Sequence, residues 1–119
     1  MNDAEIRSYL RDNGYPDHIV RGGKTGLINR WNQFVDEVER GYEFGLEDYR
    51  NDLDLRGVIR LIGADSDVAA ADERLQAMLT NTGQRVWESG EGSPFWDYGF
   101  PRNASRALLS DLRSEGLLE

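Results

Sequence analysis

The chain contains no cysteine, which excludes disulfides, thiolate metal sites and cysteine nucleophiles and leaves the fold to stand on packing. Histidine is scarce as well: His18 is the only one. A single imidazole, with no serine in a nucleophile-elbow setting, removes the commonest base and nucleophile arrangements. No catalytic residue and no cofactor is therefore assigned, and a non-enzyme is expected. No stretch of about 18 consecutive apolar residues occurs, so no membrane-spanning helix is expected. The opening MNDAEIRSYL has neither a basic leader nor an apolar run, which makes the cytoplasm the expected location. Positive charge is also in short supply, 14 bases against 22 acids for a net charge of −8. Such a field repels duplex DNA and anionic lipid, so neither nucleic acid nor membrane is expected as a partner, whereas a basic protein is compatible.

What is present points to a folded chain. At 119 residues, one domain is expected, burying about two thirds of its unfolded surface. Mean hydropathy is low, at −0.66, but twelve aromatic residues supply the large buried areas that disordered chains lack. The bases are arginine except for Lys24, a bias from which no function follows.

Apolar spacing predicts a helical protein. Residues 3 to 13 carry Ile6, Tyr9 and Leu10 on one side behind Asn2 or Asp3 as cap, with Gly14 as stop. Pro16 suits the start of a short helix ending at Gly22-Gly23. From Thr25, a natural cap, Leu27, Trp31, Phe34, Val35 and Val38 recur at helical spacing up to Gly41. On its polar face, Asp36 and Arg40 are spaced for an ion pair. Further helices are expected from Asp65 or Ser66, with Val68, Ala71, Leu75, Met78 and Leu79 inward and Gly83 beyond the end, and from about Asn103 to Ser114.

The segment between these helices is less regular. Stepping about 100° per residue, Leu46, Tyr49 and Leu53 form one apolar stripe, while Leu55, Val58, Ile59 and Ile62 fall on the other side. One straight helix burying both stripes against one core is not expected, which predicts a break between Leu53 and Leu55, with Asp52 or Asp54 capping the second helix.

Two motifs fail on inspection. HIVRGGKTG ends like a phosphate-binding loop, but His18 stands where the motif needs glycine and no apolar strand precedes it. Glycines 22 to 26 then read as a helix connection. Asp52 and Asp54 begin a calcium-loop spacing, but Arg56 and Gly63 occupy later ligand positions, and His18 has no partner glutamate for a di-metal bundle. No metal is expected.

Charge concentrates in residues 36 to 54, where eight acids face Arg40 and Arg50, a net of −6. The bland reading is that acids crowd helix starts, where the positive end of the helix dipole favours them, with Asp52 and Arg56 forming an i,i+4 pair. The functional reading is an acidic surface of Glu43, Glu47, Asp48, Asp52 and Asp54 facing a basic partner. A second concentration is aromatic: Trp87, Phe95, Trp96, Tyr98 and Phe100 lie in an irregular stretch rich in Gly and Pro. It reads as an ordered loop in preference to a hairpin of 85 to 88 with 95 to 98. Such a loop lies over the core as a lid, or presents Trp and Tyr beside Arg102 for recognition.

The stretch from Trp31 to Leu61, centred on GYEFGLEDYRNDLDLRG, resembles small uncharacterised bacterial all-α proteins carrying Leu-x-Asp-Tyr-x-Asn-Asp-Leu-Asp-x-Arg. The likeness extends through Asp72 to Leu75 and from Trp87 to Trp96, although Gly57 stands where a helix-favouring residue is expected after the arginine. The resemblance implies a bacterial cytoplasmic domain and no activity.

The expected fold is all-α, with five or six short helices around one core closed by the aromatic loop. The expected function is a non-catalytic acidic interaction or regulatory module for a basic protein partner, a toxin-neutralising role being one form of it. Its candidate binding residues are Glu43, Glu47, Asp48, Asp52, Asp54, Arg56, Trp87, Trp96 and Tyr98. The alternatives are a small-ligand or enzymatic pocket under the aromatic loop, where Asp52, Arg56, Trp87 and Trp96 converge, and a structural homodimer.

Overall fold

The structure, a computed structural model, describes residues 1–80 and 99–117. Its described residues form α1 (Asp3–Asp12), α2 (Asp17–Arg40), α3 (Leu46–Leu61), a 3-10 turn (Asp65–Val68), α4 (Ala69–Met78) and α5 (Arg106–Ser114), an all-α architecture. None of these helices is long and apolar enough to cross a membrane.

Helix α1 begins as its sequence dictates. Asn2 accepts from the Glu5 backbone N–H at 2.8 Å while Glu5 accepts from the Asn2 N–H at 3.1 Å, a reciprocal cap. Ile6 and Leu10 bury its inner side against α2. The expected break at Gly22-Gly23 is a kink within α2, where Gly23 has φ 58°. A side chain there would be strained, and its Cβ would stand 3.1 Å from Asp3 Oδ1. Thr25 does not cap the longer half of α2. Asp3 reaches across from α1 and accepts from the Lys24 N–H at 3.4 Å, so the cap comes from another helix. Beyond the kink, Leu27, Trp31, Phe34, Val35 and Val38 are all buried, as their spacing predicts.

The expected break between Leu53 and Leu55 is absent, because α3 runs uninterrupted from Leu46 to Leu61. Asp52 and Asp54 lie inside it and cap nothing. The two apolar stripes are the edges of one wide buried face, and the arc between them is filled by Asp52 and Arg56, both buried. A face of that width is covered because neighbours differ along the helix. Its start meets α5 and the Tyr42 and Phe34 rings, and its second half reaches α4 and the 3-10 turn through Arg56. The true cap is remote. Asp111 of α5 accepts from the Leu46 N–H at 3.0 Å, so close that a Cβ on Gly45 would lie 2.5 Å from the carboxylate oxygen.

The 3-10 turn and α4 match the helix expected from Asp65, with Val68, Ala71, Leu75 and Leu79 buried; the expected stop at Gly83 lies outside the described residues. So do the loop or hairpin expected over 85 to 98 and the residues Trp87, Trp96 and Tyr98. The chain returns at Gly99. Thr80 donates to the Phe100 carbonyl at 2.9 Å, Arg102 donates to the Met78 carbonyl at 3.0 Å, and Tyr49 Oη donates to the Gly99 carbonyl at 2.9 Å. Ser105 then caps α5, whose Leu108 and Leu112 enter the core. At the heart of that core, Trp31, Phe34, Tyr42 and Tyr49 pack in tilted and edge-on contacts with centroid spacings of 5.1 to 6.2 Å.

Candidate functional site

The acidic stretch divides into what faces water and what faces the core. Glu43, Glu47 and Asp48 are exposed around the start of α3, and among the described residues none of the three has an ion-pair partner. With them stands Phe44, 50% exposed, its ring edge-on to buried Tyr42 at 5.6 Å. Phe44, Glu37, Arg40, Gly41 and Glu43 line a groove of about 310 Å³. The connection between α2 and α3 is thus an exposed aromatic ring with carboxylates around it.

Asp52 sits beneath this surface, only 8% exposed. Its Oδ2 accepts from Tyr42 Oη at 2.7 Å and its Oδ1 from Arg30 NH2 at 2.9 Å. Burial pushes its pKa above the ordinary carboxylate value, opposed by the Tyr42 hydrogen bond and Arg30 and reinforced by Glu37 and Asp48. Tyr42 is raised in turn, by burial first and then by Asp52. The carboxylates of Asp52 and Glu37 therefore share the guanidinium of Arg30.

Arg56, one turn further on and 2% exposed, belongs to a different constellation. It donates to Asp72 from Nε and NH2 at 2.9 to 3.2 Å, and Asp65 Oδ1 lies 2.6 Å from its NH1. Asp72 also accepts from Trp31 Nε1 at 2.9 Å. The expected Asp52–Arg56 pair is replaced by these separate partners. Likewise Asp36 pairs with Arg74 of α4 at 2.9 Å rather than with Arg40, and Glu39 joins the same arginine. Asp54 is half-buried, and burial raises its pKa. Of the candidate binding residues, the structure leaves Glu43, Glu47 and Asp48 exposed, Glu43 on the groove beside Phe44 and Glu47 on a second groove, and withdraws Asp52 and Arg56 into the core. The pocket expected from Asp52, Arg56, Trp87 and Trp96 has its two charged members engaged by other side chains, and its tryptophans outside the described residues.

Arg30, Tyr42 and Phe44 were not among the candidate residues, and Glu37 was counted only within the acidic stretch. The signal for Asp52 and Arg56 was present, since both fall in the arc between the two apolar stripes of α3, a place for paired charge rather than solvated charge.

A second groove, of about 530 Å³, runs between α3 and α5 and is lined by Glu47, Arg50, Asp111 and Glu115 among others. Two of its charges face each other, Arg50 gripping Glu115 through two hydrogen bonds at 2.6 and 3.3 Å. No three His, Asp or Glu side chains among the described residues are grouped to hold a metal ion. Comparison of the chain with protein-family models, curated proteins and solved structures gives no match.

Proposed function

We propose that the chain is a non-catalytic interaction module that docks a basic protein partner on the acidic face around Phe44. The observation that carries this reading is the half-exposed phenylalanine beside a groove whose walls include Glu37 and Glu43, with Glu47 and Asp48 exposed at the same end of α3. Aromatic anchors ringed by charge are the type of surface in which the ring supplies affinity and the charges supply steering and choice of partner. Asp52, Asp54 and Arg56 take no direct part; Trp87, Trp96 and Tyr98 carry no role in this reading.

Affinity capture at low and high salt tests it, comparing the natural chain with a Glu43→Lys, Glu47→Lys, Asp48→Lys variant and with Phe44→Ala. A basic protein held by the natural chain at low salt, weakened at high salt and lost by both variants is the expected result. Capture that ignores charge reversal and Phe44 alike rejects the surface.

A further inference from the structure

One buried carboxylate touches both walls of the groove through intermediaries. Through Tyr42, Asp52 reaches Phe44, whose ring stands against the tyrosine. Through Arg30 it reaches Glu37: the guanidinium is 2.9 Å from Asp52 Oδ1 on one nitrogen and 3.8 Å from Glu37 Oε1 on another. The second distance is too long for a hydrogen bond, and the buried Glu37 Oε2 accepts none among the described residues. Arg30 is thus shared unequally, held by Asp52 and only loosely by Glu37.

We propose that Asp52 is a proton-operated switch for the groove: ionised, it retains Arg30 and leaves Glu37 to receive a cation from the partner, whereas protonated it releases Arg30 onto Glu37. This role presupposes the basic-partner surface described above. One proton from solvent adds to Oδ1, the oxygen that faces Arg30, while Oδ2 keeps the Tyr42 hydrogen bond. Arg30 loses a charged acceptor and moves about an ångström toward Glu37, where a charge-assisted hydrogen bond cancels the acid on the groove wall. The charged and titratable groups facing Asp52 are Arg30 and Glu37 from α2, Tyr42 from the connection, and Asp48 from its own helix. Burial favours the protonated form, so the switch operates above the ordinary carboxylate range. Docking of a cation beside Glu37 opposes protonation, and by linkage acid opposes docking.

Two measurements separate the switch from the docking surface it serves. In the free protein, the side-chain nitrogen signals of Arg30 are followed by NMR across the acid range. A titration step above the ordinary carboxylate value, absent in Asp52→Asn, is expected, and a flat Arg30 signal overturns the switch. Hexa-arginine binding, followed by fluorescence anisotropy near neutral pH, provides the second readout. Asp52→Asn, checked for folding by circular dichroism, is expected to bind about fivefold more weakly. Arg30→Gln is expected to bind more tightly than the natural chain and to lack the extra pH step. Unchanged affinity in folded Asp52→Asn, or an unaltered pH profile in Arg30→Gln, overturns the proposal. If the natural chain fails to bind hexa-arginine at all, the docking surface is rejected, while the Arg30 signal still decides the switch.

Discussion

Asp52 and Arg56 lie one turn apart on the same helix, at nearly the same depth, with opposite charge, and they are solved in opposite ways. Arg56 is one cation between two anions, with three hydrogen bonds to Asp72 and a close ion pair to Asp65. Its charge is answered by carboxylates of α4 and the 3-10 turn, although NH1 has an ion pair without a well-formed hydrogen bond among the described residues, and it ties three elements together. Asp52 is one of two anions around a single arginine that is partly open to solvent. Its charge is answered only in part, and the remainder is shared with the surface. A buried charge with surplus partners fixes a fold, whereas one with too few couples the core to whatever arrives outside.

The contrast is broken most severely at Arg56. Replacing it with Met should cost about 3 kcal/mol, the low end for removing one member of a buried pair, because Asp65 and Asp72 retain some contact with water; urea unfolding checks it, and a loss below about 1 kcal/mol makes Arg56 a bystander. Tyr42→Phe should cost about 1.5 kcal/mol, since it removes one hydrogen bond to a charged acceptor and leaves Arg30 in place. A loss equal to that of Arg56→Met would erase the difference between the two sites.

The pH dependence sharpens the comparison next. Asp52 has a folded pKa above its unfolded one, so the stability it contributes is fully present below the ordinary aspartate value and is lost as pH rises through the folded value. Relative to Asp52→Asn, the natural chain should therefore lose stability as pH rises above the ordinary aspartate range in urea melts at stepped pH. A difference that does not vary with pH would show that Asp52 titrates as it does unfolded. The smallest effect belongs to the exposed acids: Glu47→Lys should change stability by no more than about 0.5 kcal/mol while weakening hexa-arginine binding.

The helices and their inward residues were legible because burial leaves a period, as in Leu27 to Val38 of α2 and Val68 to Leu79 through the 3-10 turn and α4. The last helix was legible in Leu108 and Leu112 and in its end at Ser114, but it begins at Arg106, capped by Ser105, rather than at about Asn103. What misled was the premise that polar residues end a buried face. Asp52 and Arg56 continue the face of α3, and their partners Arg30, Tyr42, Asp65 and Asp72 lie 9 to 22 positions away, beyond the reach of helical spacing. The caps of α2 and α3 were missed for the same reason, since Asp3 serves α2 and Asp111 serves α3 across the fold, whereas the local Asn2 cap of α1 was expected. At the surface, Glu43, Glu47 and Asp48 were found by charge density alone. Phe44 was not, because a single exposed ring has no pattern.

The remote cap on α3 also sets an order of events during synthesis. The carboxylate that completes the first turn of this helix follows it by 65 residues, so a nascent chain emerging from the ribosome can wind α3 but cannot finish its leading end until α5 has cleared the exit tunnel. The connection that carries Phe44, which leads directly into that end, is then among the last parts of the molecule to mature.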